Sequence, residues 1–541
     1  LLRLAAFLLF VLPFTATADE RDITPQFETA LAELTQSSFK KKTEAVGALT
    51  DIKDKRVLPV LNAMLEGLLY YRKSDKRIVY AEETTEGYAI TDVLSGENLG
   101  VVGNREIKKV STNNSLRRYL RNAIAELSLT SPDPQVRLNA VNQMIGGISP
   151  ETAEILRKLR FTEPDPDVRK AINEAIAMVD INAGDKAVRL AALDILAESL
   201  RPEARNALAP LVAKNAAGEW IEADGDVRRQ AQRALHRIDE RLEFFGFLET
   251  TFFGLSLGSV LLLIAVGLAI TFGVMGVINM AHGELMMLGA YTTYVIQQLM
   301  PNYIDVSVLV AIPAAFIVAG LVGIAIERGV IRFLYGRPLE TLLATFGISL
   351  VLQQLVRSIF SPLNRAVETP SWMSGSLEIN NALSLTYNRL YIIAFALLVF
   401  MALLLVLKKT SLGLQVRAVS QNRTMARAMG IRTEWVDALT FGLGSGIAGV
   451  AGVALSQLTN VGPNLGQAYI VDSFMVVVFG GVGNLWGTLV GAFTLGVGNK
   501  FLEPWVGAVL AKILVLVFII LFIQKRPRGL FPQKGRAAEG G

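Results

Sequence analysis

From Thr250 to Gly283 the chain carries no Asp, Glu, Lys or Arg, a run of 34 residues. A bilayer core about 30 Å thick is crossed by about 20 apolar residues in a helix. The run is therefore too long for one straight crossing, and Gly254, Gly258, Gly267, Gly273, Gly276 and Gly283 punctuate it. It also divides the chain. Residues 19–249 carry charge at the density of a water-soluble domain, and long apolar blocks dominate the remainder. Only 19% of the 541 residues are charged, against about 25% in an average soluble domain. The sequence predicts a soluble part and a membrane part that meet near Glu249.

The apolar blocks place spans at about 252–274, 283–300, 306–326, 341–360, 390–407, 436–457, 469–481, 486–502 and 505–524. Loops facing the cytoplasm collect Lys and Arg. Three stretches do so here: Arg328, Arg332 and Arg337; Lys408 to Arg432; and Lys525 to Arg536. All three share a side if 469–481 crosses, which gives nine crossings with the N-terminal part outside and the C-terminus inside. The start of the chain agrees. Arg3, the apolar run Leu4–Phe14 and Ala16-Thr17-Ala18 read as a secretory signal peptide over 1–18. Residues 533–541 form a cytoplasmic tail. The location expected is a bacterial inner membrane, multi-pass, with the bilayer itself as a partner.

Within the exported part, 19–245, one pattern recurs. Asp133, Asp165, Asp185 and Asp224 each stand where a helix begins, followed by Val136-Arg137, Val168-Arg169, Val188-Arg189 and Val227-Arg228. The Asp suits an N-cap or first-turn anion, and each Val is expected to open a buried stripe. The valines are 32, 20 and 39 residues apart. Such helix pairs are similar to HEAT-like repeats, which stack into an α-solenoid. A β-rich texture, Arg77–Tyr80 and Tyr88–Leu94 with turns at Glu86-Gly87 and Ser95-Gly96, predicts a small β insertion over about 74–112. The fold class is thus all-α: broken membrane helices preceded by a helical repeat domain.

Three segments carry candidate chemistry. Phe272–Glu284 puts Asn279, His282 and Glu284 among apolar residues, with Gly273 and Gly276 breaking the helix. Polar groups at membrane depth are costly and face a cavity or another helix. The alternative is that they cap the next helix at the cytoplasmic interface. Val478–Gly487 repeats the design with Gly480, Gly481, Gly483 and Asn484. Paired broken segments in corresponding positions point to a solute path, and their free backbone groups suit a neutral amide or zwitterion. The third segment, Arg417–Ile431, reads as a short basic helix ended by Gly430. It could transmit motion from a cytoplasmic partner or simply reflect positive-inside bias. Gly442-x3-Gly446, Gly254-x3-Gly258 and Gly483-x3-Gly487-x3-Gly491 mark close helix contacts.

Much is excluded. There is no Cys, hence no disulfide or thiol chemistry, and only His236 and His282 are present, too few for a histidine-rich metal site. His236 reads as a surface residue. No G-x-x-x-x-G-K-[ST] occurs, so this chain carries no ATPase of that type. No acid–base or metal set marks an enzyme, and the basic residues are spread over repeat helices and loops rather than forming a nucleic-acid face.

At Gly273–Tyr291, Glu327–Gln353, Arg417–Ile431, Asp472–Gly491 and Arg526–Phe531 the chain resembles the permeases of branched-chain amino acid-type ABC importers, over about 245–532. The resemblance implies one of two permease chains working with two cytoplasmic ATPase subunits and a periplasmic solute-binding protein. It implies no cofactor on this chain, with ATP used by the partner. Gly273, Gly276, Asn279, His282, Glu284, Gly480, Gly481 and Gly483 would belong to the solute pathway. Arg417, Arg423, Arg427 and Gly430 would lie at the ATPase contact. Amino acid permeases of this type begin directly at the first span. The long exported extension is instead similar to the urea permease subgroup, so urea is the favoured solute. Branched-chain amino acids, short amides, or a passive or ion-coupled carrier are the alternatives.

Overall fold

The computed structural model describes residues 20–531 except 53, 85–86, 146–147 and 149. The segments expected as signal peptide and cytoplasmic tail, with Lys534 and Arg536, lie outside the described residues, as does Glu86 of the expected turn. The chain divides between Glu240 and Arg241 into two compact units, a boundary inside the long helix α10.

The first unit opens with α1 (Glu20–Glu33), α2 (Phe39–Asp51) and α3 (Val57–Glu66). Gly67, at φ +80°, ends α3 in the left-handed region that favours glycine. An antiparallel sheet comes next: β1 (Leu69–Arg72), β2 (Ile78–Thr84), β3 (Gly87–Asp92), β4 (Asn98–Val102) and β5 (Ile107–Lys109), in the order β4-β3-β2-β1-β5. The insertion therefore starts before residue 74. The run Leu69-Tyr70-Tyr71-Arg72 is a strand because Gly67 stops the preceding helix and Tyr70 then pairs with both Val79 and Lys109. Val79, Ala81, Ile90 and Ile107 fill the space on one side of the sheet.

Six helices then precede the membrane unit: α4 (Asn114–Ser128), α5 (Pro134–Met144), α6 (Pro150–Thr162), α7 (Pro166–Asp180), α8 (Lys186–Leu196) and α9 (Pro202–Leu208). The start of α10 (Gly225–Met275) completes the unit. The four aspartates begin helices as expected. Asp133, Asp165, Asp185 and Asp224 accept from the amides of Gln135, of Asp167 and Val168, of Ala187, and of Asp226 and Val227.

The buried-valine expectation fails in two copies. Val168 and Val227 are buried, but Val136 and Val188 are exposed. Neighbouring residues on a helix point about 100° apart, and the helices differ in which of Val and Arg is turned inward. In α5 and α8 the arginine turns in. Arg137 donates from Nε and Nη2 to Glu163 at 2.9 and 2.7 Å, and Arg189 forks onto Glu222. In α7 and α10 the arginine reaches carbonyls rather than the carboxylate, Arg169 to Glu163 O at 2.7 Å and Arg228 to Glu222 O at 3.0 Å. Glu163 and Glu222 also accept from the amides of Asp165 and Asp224. Each of these two glutamates thus joins a pair of helices, Glu163 α5 to α7 and Glu222 α8 to α10. His236 is exposed and stands beside Glu240.

The second unit contains the end of α10, then α11 (His282–Leu299), α12 (Ile304–Gly329), α13 (Pro338–Phe360), a hairpin of β6 (Ser376–Asn380) and β7 (Leu383–Thr386), α14 (Tyr387–Lys409), α15 (Ser411–Gln421), α16 (Arg423–Ala428), α17 (Thr433–Ser456), α18 (Leu465–Gly480), α19 (Leu485–Val506) and α20 (Ala508–Lys525). Among the described residues six of these helices are long and apolar enough to cross a membrane: α10, α12, α13, α14, α17 and α20. α11, α18 and α19 coincide with expected spans but fall outside that group. α17 is the most enclosed, and its glycines explain why. A Cβ on Gly449 would lie 2.5 Å from the Ala315 carbonyl of α12, and one on Gly289 of α11 would collide with the Gly449 carbonyl. The Gly442/Gly446 pair meets Ile324 and Phe316 of α12, and Gly254/Gly258 meets Val497 and Phe493 of α19.

Candidate translocation and coupling site

The first break is real. α10 ends at Met275, Gly276 takes φ +66°, and α11 starts at His282. The non-helical backbone between them needs partners inside the bundle. Thr345 of α13 supplies two: its hydroxyl accepts from Met280 N at 3.1 Å and lies 3.3 Å from Ile278 O. Asn279, His282 and Glu284 are all buried in the bundle. Asn279 Oδ1 accepts from Ala281 N at 3.0 Å; His282 Nε2 lies 3.0 Å from Ile264 O of α10; Glu284 Oε1 accepts from the Ser349 hydroxyl at 3.2 Å. No side chain caps α11, whose N-cap is Ala281. Asn279, two residues earlier, accepts from the amide of Ala281 itself. Each residue retains one buried polar atom without a partner: Asn279 Nδ2, His282 Nδ1 and Glu284 Oε2.

The second break has the same plan. α18 ends at Gly480, Gly481 and Gly483 take φ +107° and +77°, and Asn484 caps α19 by accepting from Trp486 N and Gly487 N, each at 3.1 Å. The two breaks touch. A Cβ on Gly273 would stand 2.5 Å from the Gly483 Cα. The C-terminal stretch joins them: Leu530 N and Phe531 N donate to the carbonyls of Phe479 and Gly480 at 2.9 and 3.1 Å, while Asn484 Nδ2 donates to Phe531 O. Chain thus returns to satisfy the end of α18, whose carbonyls would otherwise lack partners. Sequence reasoning noted Arg526–Phe531 only by resemblance; Gly529, at φ +75° against Gly481, is the residue that permits the approach.

The basic segment is two helices, not one. Asn422, extended at φ −155°, stops α15, and its side chain accepts from Met425 N to start α16. Gly430 ends the segment at φ +84°. The arginines are engaged within the chain. Arg417 donates to the Leu407 carbonyl, Arg427 to the Thr433 hydroxyl at 3.2 Å, and Arg423 forks onto Asp437 of α17 while lying 4.3 Å from the Tyr335 ring centre. Asp437, fully buried, escaped sequence reasoning; an Asp in the first turns of a membrane helix beside a basic loop was the available signal. The large apolar side chains that the segment exposes are Leu414, Met425 and Met429, beside the exposed Arg417 and Arg427.

These features converge on one open cavity of about 710 Å³, with Gly273 and Val274 from the first break, Gly483 and Trp486 from the second, Arg417 from the basic segment and Phe531 from the tail. Asn279, His282 and Glu284 do not line it. They lie apart from it, between α10, α11 and α13. Among the described residues no group of His, Cys, Asp or Glu could hold a metal ion.

A bundle of apolar helices, broken twice at glycines and joined to a basic segment, fits a membrane transport permease. Residues 250–523 match the family described as the branched-chain amino acid transport system, permease component, and the chain belongs to that family. It is 33% identical over 299 residues to the high-affinity branched-chain amino acid transport permease LivH of Salmonella typhimurium, covering 53% of this chain and 96% of the relative. BraD of Pseudomonas aeruginosa is 30% identical over 297 residues, with the same coverage. A probable branched-chain amino acid transport permease of Methanocaldococcus jannaschii is 24% identical over 288 residues, 50% of this chain and 88% of the relative.

Proposed function

We propose that the chain is one permease subunit of an ATP-driven importer that moves a small polar solute, urea in the favoured reading, across the bacterial inner membrane. It works with a second permease subunit, two cytoplasmic ATPase subunits that hydrolyse the ATP, and a periplasmic solute-binding protein. The chain crosses nine times, with the N-terminal unit in the periplasm as a HEAT-like helical stack and the C-terminus in the cytoplasm. The observation that carries this reading is the single cavity where both broken segments, the basic segment and the tail meet. Push on α15 and α16 from a partner would reach Gly273 and Gly483 through a few packed residues. Leu414, Met425 and Met429 offer that partner an apolar contact, and Arg423 ties the segment to Asp437 of α17.

The urea reading rests on the stretch before residue 250, which lies outside the family match. The long extension before it is the part similar to the urea permease subgroup. The branched-chain reading rests on the relatives' own substrates. Uptake should stop when Arg427→Ala and Gly430→Val are combined, with insertion preserved; uptake that continued would favour a passive carrier. Competition between urea and leucine for that uptake decides the solute, and competition by leucine alone would reverse the urea assignment.

A further inference from the structure

α13 is built inside out. Leu343, Phe346, Leu350, Leu355 and Ile359 are exposed on its outer side, while Thr341, Thr345, Ser349 and Gln353 are buried. The four polar residues recur every fourth position, so they form one stripe about 18 Å long. A helix that only needed to sit in a bilayer would gain nothing from a buried polar stripe. Three of its members reach other elements. Thr345 meets the first break, Ser349 donates to Glu284, and Gln353 Nε2 donates to Asn464 Oδ1 at 3.1 Å and lies 3.3 Å from Pro463 O, just before α18.

The stripe therefore links two helix starts, α11 and α18. Those starts are in contact: a Cβ on Gly283 would stand 2.5 Å from the Gly466 carbonyl. The second observation is Glu284. It is buried, one oxygen is held by Ser349, and the other has no partner. The free oxygen of a buried carboxyl can accept an N–H, which an anionic group does not offer, and a charge there is costly unless a cation pairs with it. At its far end the row reaches the exposed Asn464, where Arg357 Nη2 also donates to Asn464 Oδ1 at 2.6 Å.

We propose that the inward face of α13, with Glu284, is a solute recognition track for molecules that present N–H donors, an ammonium or a carboxamide, and that it discriminates against anions. Solute N–H takes the free Glu284 oxygen, and Ser349 and Gln353 exchange their present partners for solute polar groups as the helices part. The proposal rests on the permease reading only in assuming that a solute crosses this chain. The cavity between the two breaks serves coupling, and this track serves selection.

The chain has no Cys, so single thiols report cleanly. Ser349→Cys, Gln353→Cys and the outward Leu350→Cys are each placed in the full importer, in cells and inverted vesicles, resting and with ATP. The probes are cationic trimethylammonium-ethyl methanethiosulfonate and anionic sulfonatoethyl methanethiosulfonate. Relative to the ratio the two reagents show with a small free thiol, Ser349→Cys and Gln353→Cys are expected to favour the cation by a further factor of about ten, the scale of charge focusing in a low-dielectric cleft; the ratios below are normalised in the same way. Adding Glu284→Gln should bring that ratio towards one. Leu350→Cys should stay unmodified. Two results overturn the proposal: stripe thiols as inert as Leu350→Cys in every state, or a charge preference that survives Glu284→Gln. Loss of ATP-dependent uptake in the unmodified importer, with charge-selective labelling intact, would instead overturn the ATP-driven reading and leave the track standing.

Discussion

Buried polar groups are used in opposite ways in the two units. In the N-terminal unit they are closed off. Glu163 and Glu222 each take an arginine fork and a backbone amide, and Arg201 donates to Glu174 and Asn142, each at 2.7 Å. In the membrane unit they are left with spare valence. Among the described residues, every buried side-chain polar atom without a partner belongs to the second unit, Asn279, His282, Glu284 and Tyr291 included. Leaving such atoms unmet costs about 1–3 kcal/mol each. A unit that only had to fold would not keep them. The contrast separates polar groups paired within the chain from polar groups that the chain leaves unpaired.

The sharpest way to break the contrast is at the meeting of the two helix breaks. Gly273→Val drives a side chain into the Gly483 backbone, and uptake should fall to background while the protein still reaches the membrane. Gly498→Val, with nothing within 4 Å, should leave uptake unchanged. The next effect is on stability alone. Arg201→Ala strands Glu174 in the interior, which costs about 3 kcal/mol when one partner of a buried pair is removed. Heating the detergent-solubilised chain should show early melting of the N-terminal unit, read by proteolysis within 114–240, with uptake at low temperature retained.

The smallest effect is acid sensitivity. The hydrogen bond from Arg137 holds the Glu163 carboxyl below its ordinary value, Arg189 does the same to Glu222, and the Lys186 ammonium brings Asp224 down to about 2. A carboxyl depressed in the folded state stabilises fully above its unfolded value and loses that contribution as pH falls through the folded one. Exchange protection in α5 and α8, corrected for the intrinsic pH dependence of amide exchange, should therefore be flat from neutral pH down to about pH 5 and fall below about pH 4. Opening that began near pH 6 would show that these carboxylates are not the ones that matter.

Much of this was legible in the sequence because it depends on local chemistry. The uncharged run from Thr250, the aspartate helix starts and the glycine breaks each act within a few residues. What was missed depends on rotation and on distant partners. Val136 and Val188 carry the same motif as Val168 and Val227, yet whether Val or Arg faces inward is set by Glu163 and Glu222, far along the chain. The stripe on α13 was visible as a four-residue period, but its inversion, polar in and apolar out, is known only once α11 and α18 are placed. Arg423 read as a free contact residue because Asp437 and Tyr335 are remote from it in sequence.

The arrangement stands or falls on which face of the membrane each part occupies. Because the chain lacks Cys, His236→Cys and Ser420→Cys can be probed separately with an impermeant maleimide on intact spheroplasts. The account predicts that His236→Cys is labelled from outside and that Ser420→Cys is labelled only after the membrane is permeabilised. Labelling of Ser420→Cys in intact spheroplasts would contradict it.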